Sequence, residues 1–386
     1  MTSAVVEPVT ELLAERETGV APTSPGRDRI EFVHLLRGAA AAAVVWAHLS
    51  GFWLYANERS WVVQQLWAQY VVVPFHLFQN AGHLGVVVFF LISGYIISYT
   101  SERETRREFA VKRALRIFPM LAVAVLVTGV ALAAARANGI DTLPGMVHGT
   151  PVDYLKAVFV LDQLTGTTFV LGSTWTLAIE LTFYTLVLLL IPMSRRDPVR
   201  STWVMVGVWA VVTPVVIATP SLKYLSTTCV YLAFLFVGRT FYLQAKGRAS
   251  TSVSIGIVAT TGLLYVLFYT VAFPGELMTP SVEPAASYVL AIVVFLATSR
   301  ARITRLWRPF RVLGDISYSL YLLHLPVGML AITLLDRAGL PFTVAFVLGV
   351  TASLVSSWVT YRWVERPSQR LARTMLRRRP RPAPAP

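Results

Sequence analysis

Apolar residues run along this chain in continuous blocks rather than in strict alternation. The blocks cover roughly 33–52, 83–100, 116–135, 173–192, 202–219, 224–243, 252–271, 285–300, 316–335 and 341–362. Most approach 18 to 20 residues, and at about 1.5 Å rise per residue such a block matches a hydrocarbon core of roughly 30 Å. Barrel strands would show period-two alternation instead. The pattern therefore predicts an all-α polytopic membrane protein with about ten transmembrane helices. Two segments between the blocks are too long for plain turns. Residues 53–82 contain "WVVQQLWAQYVVVPFHLF", which reads as an interfacial helix with Trp61 and Trp67 at headgroup depth. Residues 136–172 hold Asp141, Asp153, Asp162 and several glycines, the kind of loop that either binds or merely covers.

Charge adds an orientation. Of the 34 basic residues, 29 fall in the segments on one side of these spans and 5 (Arg59, Arg136, Lys156, Lys223 and Arg337) on the other. By the positive-inside rule both termini face the cytoplasm of a multi-pass protein of the cell (inner/cytoplasmic) membrane. The net charge of +14 then reflects loops facing anionic lipid, and no nucleic-acid partner is expected. Only 14% of the 386 residues are charged, against roughly 25% in soluble domains. The single cysteine, Cys229, excludes an internal disulfide. With no HExxH and no carboxylate cluster, no metal is expected. Residues 1–30 lack the apolar core of a cleaved signal and read as a disordered cytosolic tail. Residues 31–367 form the membrane domain, and 368–386 read as a basic, Pro- and Arg-rich cytosolic tail.

Ionisable residues inside the spans are costly and mark candidate function, with helix packing and snorkelling as the competing explanations. His48 follows Arg37 by eleven residues, about three full turns, so the two share a face about 16 Å apart. If Arg37 marks the cytosolic edge, His48 sits near mid-membrane. Glu180 in "STWTLAIELTFY" and His324 in "ISYSLYLLHLP" are further buried candidates. In "EFAVKRALRIFP", Arg113 and Arg116 rise on one helix face and suit a polyphosphate, although topological charge also explains them. In "GVVVFFLISGYIIS", Ser93 and Gly94 permit either close helix approach or a polar ligand contact.

These stretches together resemble the acyltransferase 3 family of integral-membrane acyltransferases. The matching pieces are Arg37 and His48 at their spacing, then "GHLGVVVFFLISGYII", "FAVKRALRIFP", "TWTLAIELTFY", "LGDISYSLYLLHLPV" and "YRWVERP". Each alone is weak; in this order, across nearly all of residues 30–370, they are specific. The resemblance implies transfer of an acyl group, acetyl or another short one, from acyl-CoA bound on the cytosolic side to a hydroxyl, typically of a sugar. It implies no bound cofactor, acyl-CoA serving as co-substrate. His48 matches the family's essential histidine and Arg37 its paired basic residue, while Arg113 and Arg116 match an Arg-x-x-Arg motif taken to contact CoA. Glu180, placed here with the catalytic residues, and Tyr318, His324 and Glu365 match recurrent positions of less settled role. Members often carry Leu-Asp-Gly-Leu-Arg-Gly where this chain reads "VHLLRG", so His34 replaces an acidic residue whose role does not carry over.

The implied chemistry suits the pattern. A hydroxyl attacking a thioester needs a base, and a neutral histidine among apolar neighbours can act as one. The acceptor is expected to be an envelope glycan or polysaccharide, or a glycosylated secondary metabolite such as a macrolide. A transporter or flippase is the alternative, since membrane-depth charges also suit a translocation path; the sequence shows no related halves.

Overall fold

The structure, a computed structural model, describes residues 25–166, 168–273, 283–301 and 308–377. Its first helix, α1 (Pro25–Trp46), continues through a π-helical turn (Ala47–Phe52) into a last turn (Trp53–Ala56). A short helix, α2 (Val62–Trp67), precedes α3 (Gly82–Ser101) and the long α4 (Arg106–Ala137). The loop after α4 contains α5 (Pro151–Val158). Five helices follow: α6 (Trp175–Arg196), α7 (Pro198–Ala218), α8 (Lys223–Ala245), α9 (Thr251–Ala272) and α10 (Glu283–Arg300). Next, α11 (Arg308–Leu323) runs through a π-helical segment (His324–Met329) into α12 (Leu330–Arg337). Finally α13 (Phe342–Thr360) runs through another (Tyr361–Glu365) into α14 (Arg366–Arg377). Among the described residues nine helical stretches are long and apolar enough to cross a membrane, with Pro284–Arg300 a shorter apolar helix. The all-α polytopic reading stands.

Local signals set the helix starts. Thr105 caps α4 in a capping box with Glu108, and Thr150 does the same for α5 with Asp153. Asp197 caps α7, with Pro198 at its first position. The bundle forms around α3, 72% of whose membrane window is buried, against 28% for the peripheral α9. Its neighbours are α8, α1, α10 and α6, while α11 packs on the far side of α1. The approach of α3 to α8 is close enough that a Cβ at Gly94 would run into the Leu235 carbonyl, and one at Gly238 into that of Leu91.

A buried cation ties four helices together near the end of the bundle that carries Arg106, Arg195 and Arg248, here called the basic end. Arg239 on α8 is 1% exposed. It donates to Thr202, Ser201 and the Pro198 carbonyl on α7, to Ser194 on α6 and to Ser98 on α3.

Three expectations need adjusting. Helix α1 starts at Pro25, inside the expected tail, so Arg37 stands about 18 Å along it. His48 lies eight residues before the end of the apolar stretch Glu31–Ala56, a little past its middle. The stretch 53–82 is folded back onto the bundle: Trp61 donates to Thr343 and packs its ring on Phe342 and Phe346, while Val62 and Tyr70 stay exposed. The segment placed in a C-terminal tail from its composition is helical through Arg377 and packs against α4, because its basic residues fall at helical spacing along one face. Residues 1–24 and 378–386 lie outside the described residues.

Candidate active site

Polar side chains meet at intervals along the seam between α1 and α11 and the turns that extend them, Arg311 and Glu31 at one end among them. Arg37 Nε donates to Ser317 Oγ at 3.1 Å, and His48 Nδ1 meets His324 Nε2 at 2.8 Å. Positions 317 and 324 are seven apart on α11, two turns, so the common face expected for Arg37 and His48 is realised against a single neighbour. One turn from Arg37, His34 lies 3.4 Å from Asp315 of α11. The carboxylate missing from α1 is thus present on its neighbour.

Beside this seam is a cavity, partly open to solvent, with about 790 Å³ of empty space when its open mouth is included. Arg37, Ser93, Arg113, Arg116, Glu180 and Tyr318 all line it, from five different helices. On α3 its lining runs from Ile97 to Val86, about 16 Å of helix. At the basic end it meets the Arg113 and Arg116 side chains; at the other it closes on Thr176 and Tyr321. Between them apolar side chains such as Phe89, Phe90, Ile92 and Ile96 alternate with polar ones, among them Arg37, Tyr184, Ser317 and the Ser93 hydroxyl, which donates to the Glu180 carboxylate. Tyr318 donates to the Ile117 carbonyl at 3.0 Å and so joins α11 to α4. Arg113 shares Glu104 with Lys112, at 3.7 and 3.0 Å. Among the described residues no carboxylate lies within ion-pairing distance of Arg116, which leaves its guanidinium available to an anion.

The histidine pair adjoins the closed end of the cavity. Neither ring lines it, but His324 lies 5.9 Å, ring to ring, from Tyr321, which does. Tyr321 is fixed by Thr176, whose hydroxyl donates to it at 2.9 Å. The tautomers follow from the partners. His324 Nδ1 is 3.1 Å from the Leu320 carbonyl, which can only accept, so Nδ1 carries the proton. In the neutral ring His324 Nε2 is then an acceptor, and His48 Nδ1 must donate to it. His48 Nε2 is left with a free lone pair. The rings are inclined by 16° with centroids 5.0 Å apart, so the bond runs nearly in both ring planes. His324 is fully buried, whereas His48 keeps part of its surface accessible.

Both histidines stand on π-helical turns, as does Glu365. Such turns interrupt the regular hydrogen-bond ladder and occur often at functional sites. Glu365 stands behind the cavity, 2% exposed, accepting from Ser319 at 2.7 Å and from Gln369 at 3.1 Å. It secures α14 to α11.

The residues overlooked in the sequence are Thr176, Tyr184, Ser317 and Tyr321. Their signal was spacing: Ser317, Tyr321 and His324 stand at i, i+4 and i+7, and Thr176, Glu180 and Tyr184 at i, i+4 and i+8, each set on one helix face. A family model described as an acyltransferase domain matches residues 30–362. The exopolysaccharide production protein ExoZ of Rhizobium meliloti is 30% identical over 326 residues, covering 78% of this chain and 95% of that protein. Nodulation protein 10 of Rhizobium leguminosarum is 25% identical over 373 residues, covering 89% and 95%. Peptidoglycan O-acetyltransferase OatA of Listeria monocytogenes is 22% identical over 343 residues, 77% of this chain but only 53% of that longer protein. No solved structure matches. Since the family match takes in every residue that lines the cavity, and both histidines, the chain belongs to the acyltransferase 3 family.

Proposed function

We propose that the protein moves a short acyl group from acyl-CoA to a sugar hydroxyl, with His48 as general base. The observation that carries this reading is the cavity itself, cationic at one end and reaching Tyr321, the neighbour of a tautomerically fixed histidine pair, at the other. A CoA polyphosphate would sit on Arg113 and Arg116, with the pantetheine arm laid along the apolar side chains. Glu180, held by Ser93, and Arg37, held by Ser317, give the cavity its polar contacts along the way. The basic end faces the cytoplasm in this reading, because the loops there carry most of the positive charge.

His48 Nε2 takes the proton from the acceptor hydroxyl as its oxygen attacks the thioester carbonyl carbon. The tetrahedral intermediate then expels CoA thiolate, which recovers the proton from the His48 imidazolium. His324 Nε2 stabilises that imidazolium by accepting the Nδ1–H throughout. No acyl-enzyme is required.

The relatives' names support a glycan acceptor: one is named for exopolysaccharide production and another for peptidoglycan O-acetylation. The acceptor proposed here is an envelope glycan, with a glycosylated metabolite such as a macrolide as the other candidate. The test is release of CoA from acetyl-CoA by the purified protein in nanodiscs, with envelope glycan fragments or glycosylated macrolides supplied as acceptors. Acceptor-dependent release accompanied by a mass gain of one acetyl group on the acceptor is expected. Movement of an intact substrate across the membrane without CoA release would replace this reading with transport.

A further inference from the structure

At the basic end a second, polar cleft with about 1050 Å³ of empty space lies between α4 and α14. Arg113 and Arg116 line both spaces and so form the neck joining them. The cleft is also lined by Lys112 and, across from it on α14, by Gln369 and Arg373. Four cationic side chains therefore face two carboxylates, Glu104 and Glu108. Glu104 is shared between Lys112 and Arg113, and Glu108 is committed to the α4 cap, accepting from the Thr105 amide at 2.8 Å. An excess of positive charge remains, and among the described residues Arg373 has no ion-pair partner.

The geometry also fixes where Arg373 points. Glu365, at the end of the π-helical turn, and Gln369 and Arg373 on α14 stand at i, i+4 and i+8, successive turns of one side. The first two are hydrogen-bonded to each other, and Glu365 is anchored to Ser319 on α11. Ala372, 1% exposed, seats the same helix on its neighbours. Lys112 and Arg116 are one turn apart on α4, with Lys112 on the side of the basic end. An extended donor whose pyrophosphate lies at the neck thus has its distal end between Lys112 and Arg373.

We propose that Lys112 and Arg373 form a phosphomonoester subsite at the mouth of the donor cavity, reading the 3′-phosphate of CoA. The assignment rests on the acyl-CoA reading above and makes α14 a substrate-binding element. Arg113 and Arg116 then serve the pyrophosphate, which every CoA derivative shares.

The test is equilibrium binding of acetyl-CoA and acetyl-dephospho-CoA, which differ by that phosphate alone, to the full chain in phosphatidylcholine nanodiscs. Wild-type protein should prefer acetyl-CoA by about 10- to 150-fold, the span expected for a charge-assisted hydrogen bond. Arg373→Gln and Lys112→Gln should each shrink that ratio several-fold while barely changing the affinity for acetyl-dephospho-CoA, and Arg373→Lys should keep part of the preference. Arg116→Gln should weaken both donors alike. An unchanged ratio in both Arg373→Gln and Lys112→Gln overturns the subsite. Wild-type protein that binds both donors without preference also overturns it while leaving the acyl-CoA reading intact; protein that binds neither removes both. Anionic lipid offers the same phosphate chemistry, so the measurement is repeated with phosphatidic acid in the nanodiscs. Little change in acetyl-CoA affinity is expected. Strong competition that disappears in Arg373→Gln, with the donor ratio unaltered, makes this a lipid site instead and the proposal falls.

Discussion

At the scale of single residues, the sharpest expectations concern the histidine pair. His48→Asn keeps a polar side chain but no base, so turnover should fall by about 100-fold or more with acyl-CoA binding largely retained. Retention of more than about a tenth of the rate would assign the proton to another group. In the proposed mechanism His324 acts through His48, as a positioning residue. His324→Leu leaves the His48 Nδ1–H without its acceptor and frees the ring to change tautomer; kcat should drop at least about ten-fold with little effect on KM for acyl-CoA. His324→Gln, whose amide oxygen can accept the same bond, should recover part of that loss, and a purely packing role would show no such recovery. Arg37 and His48 were legible from one sequence because their spacing and membrane depth stand out against apolar neighbours. Tyr321 and Thr176 were not, since a tyrosine or threonine in a membrane helix is cheap enough to need no explanation until its partners are seen.

At the scale of elements, the apolar blocks located the spans, but their ends were set by features composition hides. The first helix begins at Pro25, well before the apolar block, and Arg37 stands inside it, held by Ser317. The π-helical turn under His48 has no cap or proline to announce it, whereas Pro326 lies within the turn that starts at His324 and Pro367 follows Glu365 by two residues. In α14 the abundance of arginine obscured the period at which the arginines recur. The Arg239 clamp offers a test of how the elements are tied. Arg239→Lys keeps a buried charge but cannot fork to three neighbouring helices, and each charge-assisted bond lost is worth about 1.5 to 3 kcal/mol. Its thermal midpoint in detergent should fall clearly below that of wild type, while the affinity for acetyl-CoA in the surviving folded fraction is unchanged. A midpoint equal to wild type would mean that one lysine hydrogen bond suffices.

At the scale of the molecule, sidedness governs everything proposed for the donor. A cysteine placed at Asp141, in the long loop before α5, should react with an impermeant maleimide on intact cells, and one placed at Arg103 should react only after permeabilisation. The opposite pattern would put Arg113 and Arg116 on the face without cytosolic acyl-CoA. The whole-molecule architecture was legible as a helical bundle, because hydrophobic length dictates it; the cavity was not, because it is assembled from five helices whose order around α3 no local pattern encodes. One consequence of that assembly is kinetic. His48 adjoins the donor cavity without lining it, and in the proposed mechanism the acceptor reaches its Nε2 from outside that cavity with the acyl donor still bound. Both substrates then occupy the protein at once, and initial rates measured against one at several fixed levels of the other should give intersecting double-reciprocal lines. Parallel lines would mean that the acyl group waits on the polypeptide between two half-reactions, and the Ser93 hydroxyl beside Glu180 would be the first place to look for it.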